Sequence, residues 1–224
     1  MKKLLLNAIL IALLFASCRG GPNRLVLGPP VGPDEAGVLR PFTIIDYKNR
    51  ERGESLPEWL DLWLNASIQD VEALPSFEGH YVFVGRNEGV HLAPLHMWLE
   101  GFSPELDFPR LAAARIERRF ASEATHPDDE YGPFYEALIK TASDALWTGA
   151  MSLNDFWIRR RYTPNEEDRQ ELETWEFLIL LTIDKELFAS QLDNVINMVN
   201  PHPTPTIAQT EAANRILNDF FNGF

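Results

Sequence analysis

His91 and His96 stand five residues apart, and an imidazole pair of that kind can touch one metal with Asp107 or Glu100 as a third ligand. The segment lacks the His-Glu-x-x-His pattern that sets two imidazoles on one turn of a zinc helix. It reads as a loop with two unrelated histidines. His126-Pro127-Asp128-Asp129-Glu130 gathers an imidazole and three carboxylates. Calcium loops space their oxygen ligands around an invariant glycine, and that spacing is absent here. Asp and Pro are ordinary turn residues, so this stretch reads as a solvated linker between two helices. Ser55, Ser143 and Ser152 have no Gly-x-Ser-x-Gly setting for a nucleophile. Gly85-Arg86-Asn87-Glu88-Gly89 has the wrong spacing to cradle a phosphate. No catalytic residue, metal ligand or cofactor is therefore assigned, and the protein is expected not to be an enzyme. An envelope hydrolase with a metal site and a carrier of an apolar ligand stand as the alternatives.

Binding chemistry has better candidates. Arg159-Arg160-Arg161 is the one run of three cations in an acidic chain. On a strand Arg159 and Arg161 share a face and Arg160 takes the other. The pair suits an anionic group, either a lipid headgroup or a partner's acidic patch; the competing expectation is pairing with the chain's own Glu166, Glu167 and Asp168. Trp59, Trp63, Trp98, Trp147, Trp157 and Trp175 can line a groove or fill a core, and core is the commoner use. Trp98, beside Met97 and Phe102, is the one expected to be exposed for contact.

The 224 residues carry a formal charge of −13 and one cysteine, Cys18. Acidity of that size opposes contact with nucleic acid and electrostatic adhesion to anionic lipid. Lys2 and Lys3 precede the apolar run Leu4–Ala16, broken only by Asn7, which at 13 residues is shorter than the ~20 a membrane-spanning helix needs. A basic start, a short apolar stretch and small residues before a cut site make an export signal. Phe15-Ala16-Ser17-Cys18 resembles the bacterial lipobox, with Phe15 where Leu is usual. The resemblance implies cleavage before Cys18, diacylglycerol on its sulfur and an acyl chain on the new amino terminus. Several buried chains at ~0.8 kcal/mol per CH₂ make such anchoring permanent. A lone cysteine in an exported chain has no disulfide partner, which fits the same role. Loss of Lys2 and Lys3 with the leader takes the charge to −15. Arg19 follows Cys18, where some bacteria place an Asp to retain lipoproteins at the inner membrane; by that analogy the outer membrane is favoured.

The elements that must position these residues follow from patterning. Residues 1–17 read as signal peptide and 18–41 as a tether crowded with Gly and Pro. Residues 42–200 form a globular domain, and 201–224 hold a Pro-rich break followed by a short amphipathic helix from Ile207 to Phe221. Within the domain, Phe42–Tyr47 and Tyr81–Arg86 read as strands. Pro57–Ile68, Pro109–Ala124, Pro133–Gly149 and Asp184–Met198 read as helices, and Asn87–Phe108 as a long aromatic loop. Ser152–Tyr162 and Glu173–Ile183 should pair as a hairpin through Thr163–Leu172. Phe177–Ile183 (FLILLTI) is a continuous apolar run, with Thr182 its one hydroxyl, and should be a central strand covered on both faces. The order predicts an α+β fold, a small antiparallel sheet with helices packed on one face.

Tyr81-Val82-Phe83-Val84-Gly85, the alanines of Leu111–Ala114, Ser143, Trp157, Glu173-Thr174-Trp175 and the Pro57-Glu58-Trp59 tripeptide together resemble the lipoprotein-20 type of bacterial surface lipoproteins over roughly residues 57–198. That resemblance implies an α+β domain in the cell envelope with a binding or assembly role and an envelope protein as partner. It brings no catalytic residues.

Overall fold

A strand apolar on both of its faces is stable only where both sides are covered. The computed structural model, which describes residues 25–26, 41–123, 132–163 and 171–199 with the isolated positions 207 and 211, places FLILLTI inside such a strand. The strands are β1 (Leu25–Val26), β2 (Phe42–Tyr47), β3 (His80–Gly89), β4 (Met151–Tyr162) and β5 (Leu172–Asp184). They form one sheet in the order β1-β2-β4-β5-β3, with every neighbouring pair antiparallel. β4 and β5 make the expected hairpin, Tyr162 opposite Leu172. The helices are α1 (Glu58–Asn65), α2 (Ile68–Glu72), α3 (Leu92–Gly101), α4 (Pro104–Glu123), α5 (Gly132–Asp144) and α6 (Lys185–Met198). The fold class is α+β.

The helices cover both faces of the sheet, not the single face expected. Tyr81, Phe83, Ile179, Leu181 and Ile183 face α4, α5 and α6 in one core. Val82, Leu178 and Leu180 join Phe42, Ile44, Phe156 and Ile158 against Trp59, Leu60 and Leu64 of α1 and Val71 of α2 in a second. Topology is the reason. β2 and β3 are separated by β4 and β5, so the connection between them must cross the sheet. α1 and α2 lie in that crossover and bury their apolar stripes where they cross.

Several element boundaries differ from the pattern for local reasons. The helix expected over 57–68 breaks at Ala66, because Ser67 caps a new one by accepting a hydrogen bond from the Asp70 amide. Asn87–Phe108 is not a loop: β3 runs on to Gly89, α3 follows, and α4 begins five residues before Pro109. Pro109 is tolerated early in α4 because the carbonyl it would otherwise bond belongs to exposed Glu105. α5 stops at Asp144, where the Trp147 indole turns back and donates to the Ala142 carbonyl at 2.8 Å. Leu25–Val26, inside the expected tether, pairs with Phe42–Thr43. The leader, Cys18, the rest of the tether and the C-terminal helix beyond positions 207 and 211 lie outside the described residues.

At Val82 the outer edge of β3 is engaged by side chains. Glu72 accepts from the Val82 amide at 2.7 Å, and Arg115 donates to the Val82 carbonyl at 2.9 Å. The two side chains pair with each other at 2.7 Å, and the guanidinium lies over the rings of Tyr81 and Phe83.

Candidate binding surface and a buried charge cluster

The β4–β5 hairpin builds two different sites on its two faces, because successive side chains alternate. One face points toward α4–α6, but the core under those helices draws on β3 and β5 and on no residue of β4. Asp155, Trp157, Arg159 and Trp175 are accordingly half-buried there, and Arg161 is exposed.

Arg159 and Arg161 do share this face, as strand alternation requires. Both are engaged by Glu173, at 2.6 and 2.7 Å, and Arg161 also lies 3.6 Å from Glu171. Arg161 stands directly opposite Glu173 in the sheet, so register decides the pairing. The hydrogen bond from Arg161 holds the Glu173 carboxyl below its ordinary range. The Arg159 guanidinium also covers the Trp175 ring at 5.1 Å. The dock for an outside anion expected at Arg159 and Arg161 is thus already occupied by a carboxylate of the same chain. Glu166, Glu167 and Asp168 lie outside the described residues.

Trp98 is not the exposed aromatic expected. α3 turns it inward, edge-on to Phe102 and against the core, while Met97 beside it is 73% exposed. His91 precedes the first turn of α3, and His96 lies edge-on to Phe177 at 5.0 Å. Among the described residues no group of three His, Cys, Asp or Glu side chains is placed to hold a metal. Asp128, Asp129 and Glu130 lie outside them. Ser143 donates to the Lys140 carbonyl within its own helix.

The open face continues into a cleft. Leu99 and Phe102 wall one side, Pro104 starts α4 beside them, and Ser152, Leu153, Asn154, Asp155 and Ile179 supply the rest, around about 360 Å³. Two sequence features shape it. Gly85 lets Phe102 settle on the sheet, since a Cβ there would sit 3.0 Å from the Phe102 ring. A bulge between Ser152 and Asn154 swings Leu153 outward to 51% exposure. Lys48 fixes Asp155, donating to its carboxylate at 2.7 Å and to its carbonyl at 2.9 Å. Two positions further along β4, Trp157 meets Trp175 edge-on at 5.0 Å.

The opposite face of the hairpin holds a charge cluster that sequence reasoning missed. Arg160 and Glu176 are wholly buried and hydrogen-bonded to one another. Arg86 lies 3.5 Å from Glu176, and Glu88 lies 3.9 Å from Arg160. Tyr162 donates to Glu88 at 2.7 Å, and Thr174 donates to the same oxygen. Arg160 also caps the Phe42 ring at 4.2 Å. Glu88 and Glu176 stand directly opposite one another on neighbouring strands, an arrangement that repels unless cations intervene. The available signal was the alternation that sets Arg160 apart from Arg159 and Arg161; the strand order needed to bring Glu88 and Glu176 together is not local.

Burial pushes the Glu176 carboxyl up to about 7, with Arg160 and Arg86 pulling the other way and Glu88 adding to the rise. A carboxyl that binds its proton more tightly in the fold than in the unfolded chain gives the native state more protons between about pH 4.5 and 7. Its contribution to stability therefore falls as pH rises through that window. Urea unfolding at pH 5 and pH 8 is expected to show Glu176→Gln losing less stability across the interval than the wild type, by a few kcal/mol at most. Equal losses in both proteins would place Glu176 at an ordinary carboxyl value. Burial also raises the Tyr162 hydroxyl, so it stays protonated and keeps donating to Glu88.

The chain matches no family model, no curated protein and no solved structure.

Proposed function

We propose that this protein is a lipid-anchored component of the bacterial cell envelope with a non-catalytic binding or assembly role. The observation that carries the reading is the lone Cys18 behind Phe15-Ala16-Ser17, after a basic start and a 13-residue apolar run. Among the described residues no helix is long and apolar enough to cross a membrane. The resemblance of residues 57–198 to the lipoprotein-20 type points to the same compartment. The binding role is supported by the face of β4 and the adjoining cleft, where aromatic rings and polar groups stand together beside an otherwise well-filled core. The partners are the membrane, through lipid on Cys18, and a second envelope component; Arg19 favours the outer membrane.

Intact mass of the protein purified from membranes, beside a Cys18→Ala variant, tests the anchor. A chain beginning at Cys18 with added acyl mass, absent from the variant, is the expected result. An unmodified cysteine in membrane-derived protein would overturn it.

A further inference from the structure

On the side of the sheet that carries α4–α6, β4 stands beside the helical core and contributes no residue to it. Trp157 and Trp175, edge-on at 5.0 Å, form the apolar middle of the strip left uncovered among the described residues. Its charges are matched within it, since Arg159 and Arg161 share Glu173. Thr43 and Asp46 of β2 continue it, opposite Arg161 and Arg159. α3 bounds it on the other side, with His96 edge-on to Phe177, the residue opposite Trp157. Two strands at ~4.8 Å spacing make the strip about 10 Å wide, the diameter of one α-helix. From Asp155 to Arg161 it is about 20 Å long, at ~3.3 Å per residue.

The chain after α6 supplies a segment of that size. α6 gives way at Val199 to extended backbone, and Val199 and Ile196 pack against the core on this same side of the sheet. Pro201, Pro203 and Pro205 favour an extended connection, and residues 200–206 can reach roughly 24 Å. Positions 207 and 211, one turn apart, are both helical. As a helix, residues 207–221 are about 22 Å long. At ~100° per residue, Ala212, Ile216 and Phe220 fall on one side of it, with Ala213 and Leu217 beside them. Ile207 and Glu211, both exposed, fall on the opposite side.

We propose that residues 207–221 dock as a helix on the uncovered strip of β4, seating Ile216 and Phe220 on Trp157 and Trp175. An aromatic strip whose charges are already matched suits an uncharged stripe. The short connection from α6 holds the segment beside the strip at a local concentration on the order of millimolar, an advantage that an outside partner lacks. The inference goes beyond the binding role proposed above and does not depend on it. Its consequence for that role is regulation, because a partner that uses this face must displace the helix.

The test is photo-crosslinking of the full chain in detergent micelles, with p-benzoylphenylalanine in place of Trp157 and the products mapped by peptide mass. Mixing isotope-labelled and unlabelled chains separates links within one chain from links between two. Links from position 157 into residues 207–221 of the same chain are expected. The double variant Ile216→Asp/Phe220→Asp should cut their yield about fivefold or more. If the Trp157 derivative fails to fold, as judged by its thermal unfolding, the reagent goes to the exposed position of Arg161. Absence of links to residues 207–221, or a yield unchanged by the double variant, would overturn the proposal. Links found only between chains would overturn it as well, by putting a second copy on the face. Acylation of Cys18 is read separately by intact mass, so failure here leaves the envelope reading standing.

Discussion

Arg160→Met is expected to lower the unfolding free energy by about 3–5 kcal/mol at pH 8, because it leaves Glu176 buried without its closest cation. Arg160 and Glu176 are both fully buried, so neither can turn to solvent when the other is removed. Arg86, at 3.5 Å, compensates only in part. The loss should shrink toward pH 5, where Glu176 takes up a proton and no longer needs a counter-charge. The double variant Arg160→Met/Glu176→Leu is expected to recover most of the loss. The native cluster is incompletely satisfied: Arg160 Nε, Glu88 Oε2 and Glu176 Oε1 have no hydrogen-bond partner among the described residues. A network in that condition is weak support for a fold, and an apolar pair of similar volume often does as well. Urea unfolding of the wild type, both single variants and the double variant at the two pH values gives the cycle. A loss under 1 kcal/mol for Arg160→Met would mean that water reaches the cluster.

Phe188→Ala is expected to cost a similar amount, about 3–5 kcal/mol, by a different mechanism. The side chain is fully buried at the start of α6. Its ring stacks on Trp147 at 5.0 Å, with an interplanar angle of 17°. It also meets Tyr81 edge-on at 5.4 Å, Phe83 at 5.7 Å and Phe108 at 6.3 Å. Those four residues come from β3, α4 and the segment after α5, so one ring ties three parts of the chain to the helix that closes the core. Its removal leaves a cavity that rigid neighbouring rings cannot fill by small shifts. For a domain of this size the melting temperature should fall by roughly 10 °C. Amide exchange in α6 should accelerate together with that of α4. A loss confined to the frayed end of α6 would show that the helix docks through its other apolar residues instead.

The hairpin of β4 and β5, the doubly covered core strand and the approximate place of four helices were legible because each is written in local periodicity. Phe177–Ile183 announces two covered faces whatever lies on them. The expectation of helices on one face contradicted that run, and α1 and α2 resolve the conflict by covering the second face. Ser67 and Asp70 carried a cap signal that divides the helix expected over 57–68. α3 was harder to read: Pro94 and flanking glycines resemble a loop, and only packing on β3 and β5 turns Leu92–Gly101 into a helix.

The candidate site was legible only in its residue types. Trp157, Ser152 and the arginines could be named in advance, but Asp155, Asn154 and Phe102 join them only through the bulge in β4 and the placement of α3. What the sequence by itself determined is the alternation within each strand, the apolar stripes of the helices, the expectation of lipid on Cys18 and the separation of Arg160 from its two neighbours. Only the tertiary structure decided the strand order, and with it that Glu88 faces Glu176, that Glu173 takes both Arg159 and Arg161 and that β4 keeps one face open. The physical reason is range. Periodicity records which side of an element is apolar, whereas a charge finds its partner through contacts between strands distant in the chain.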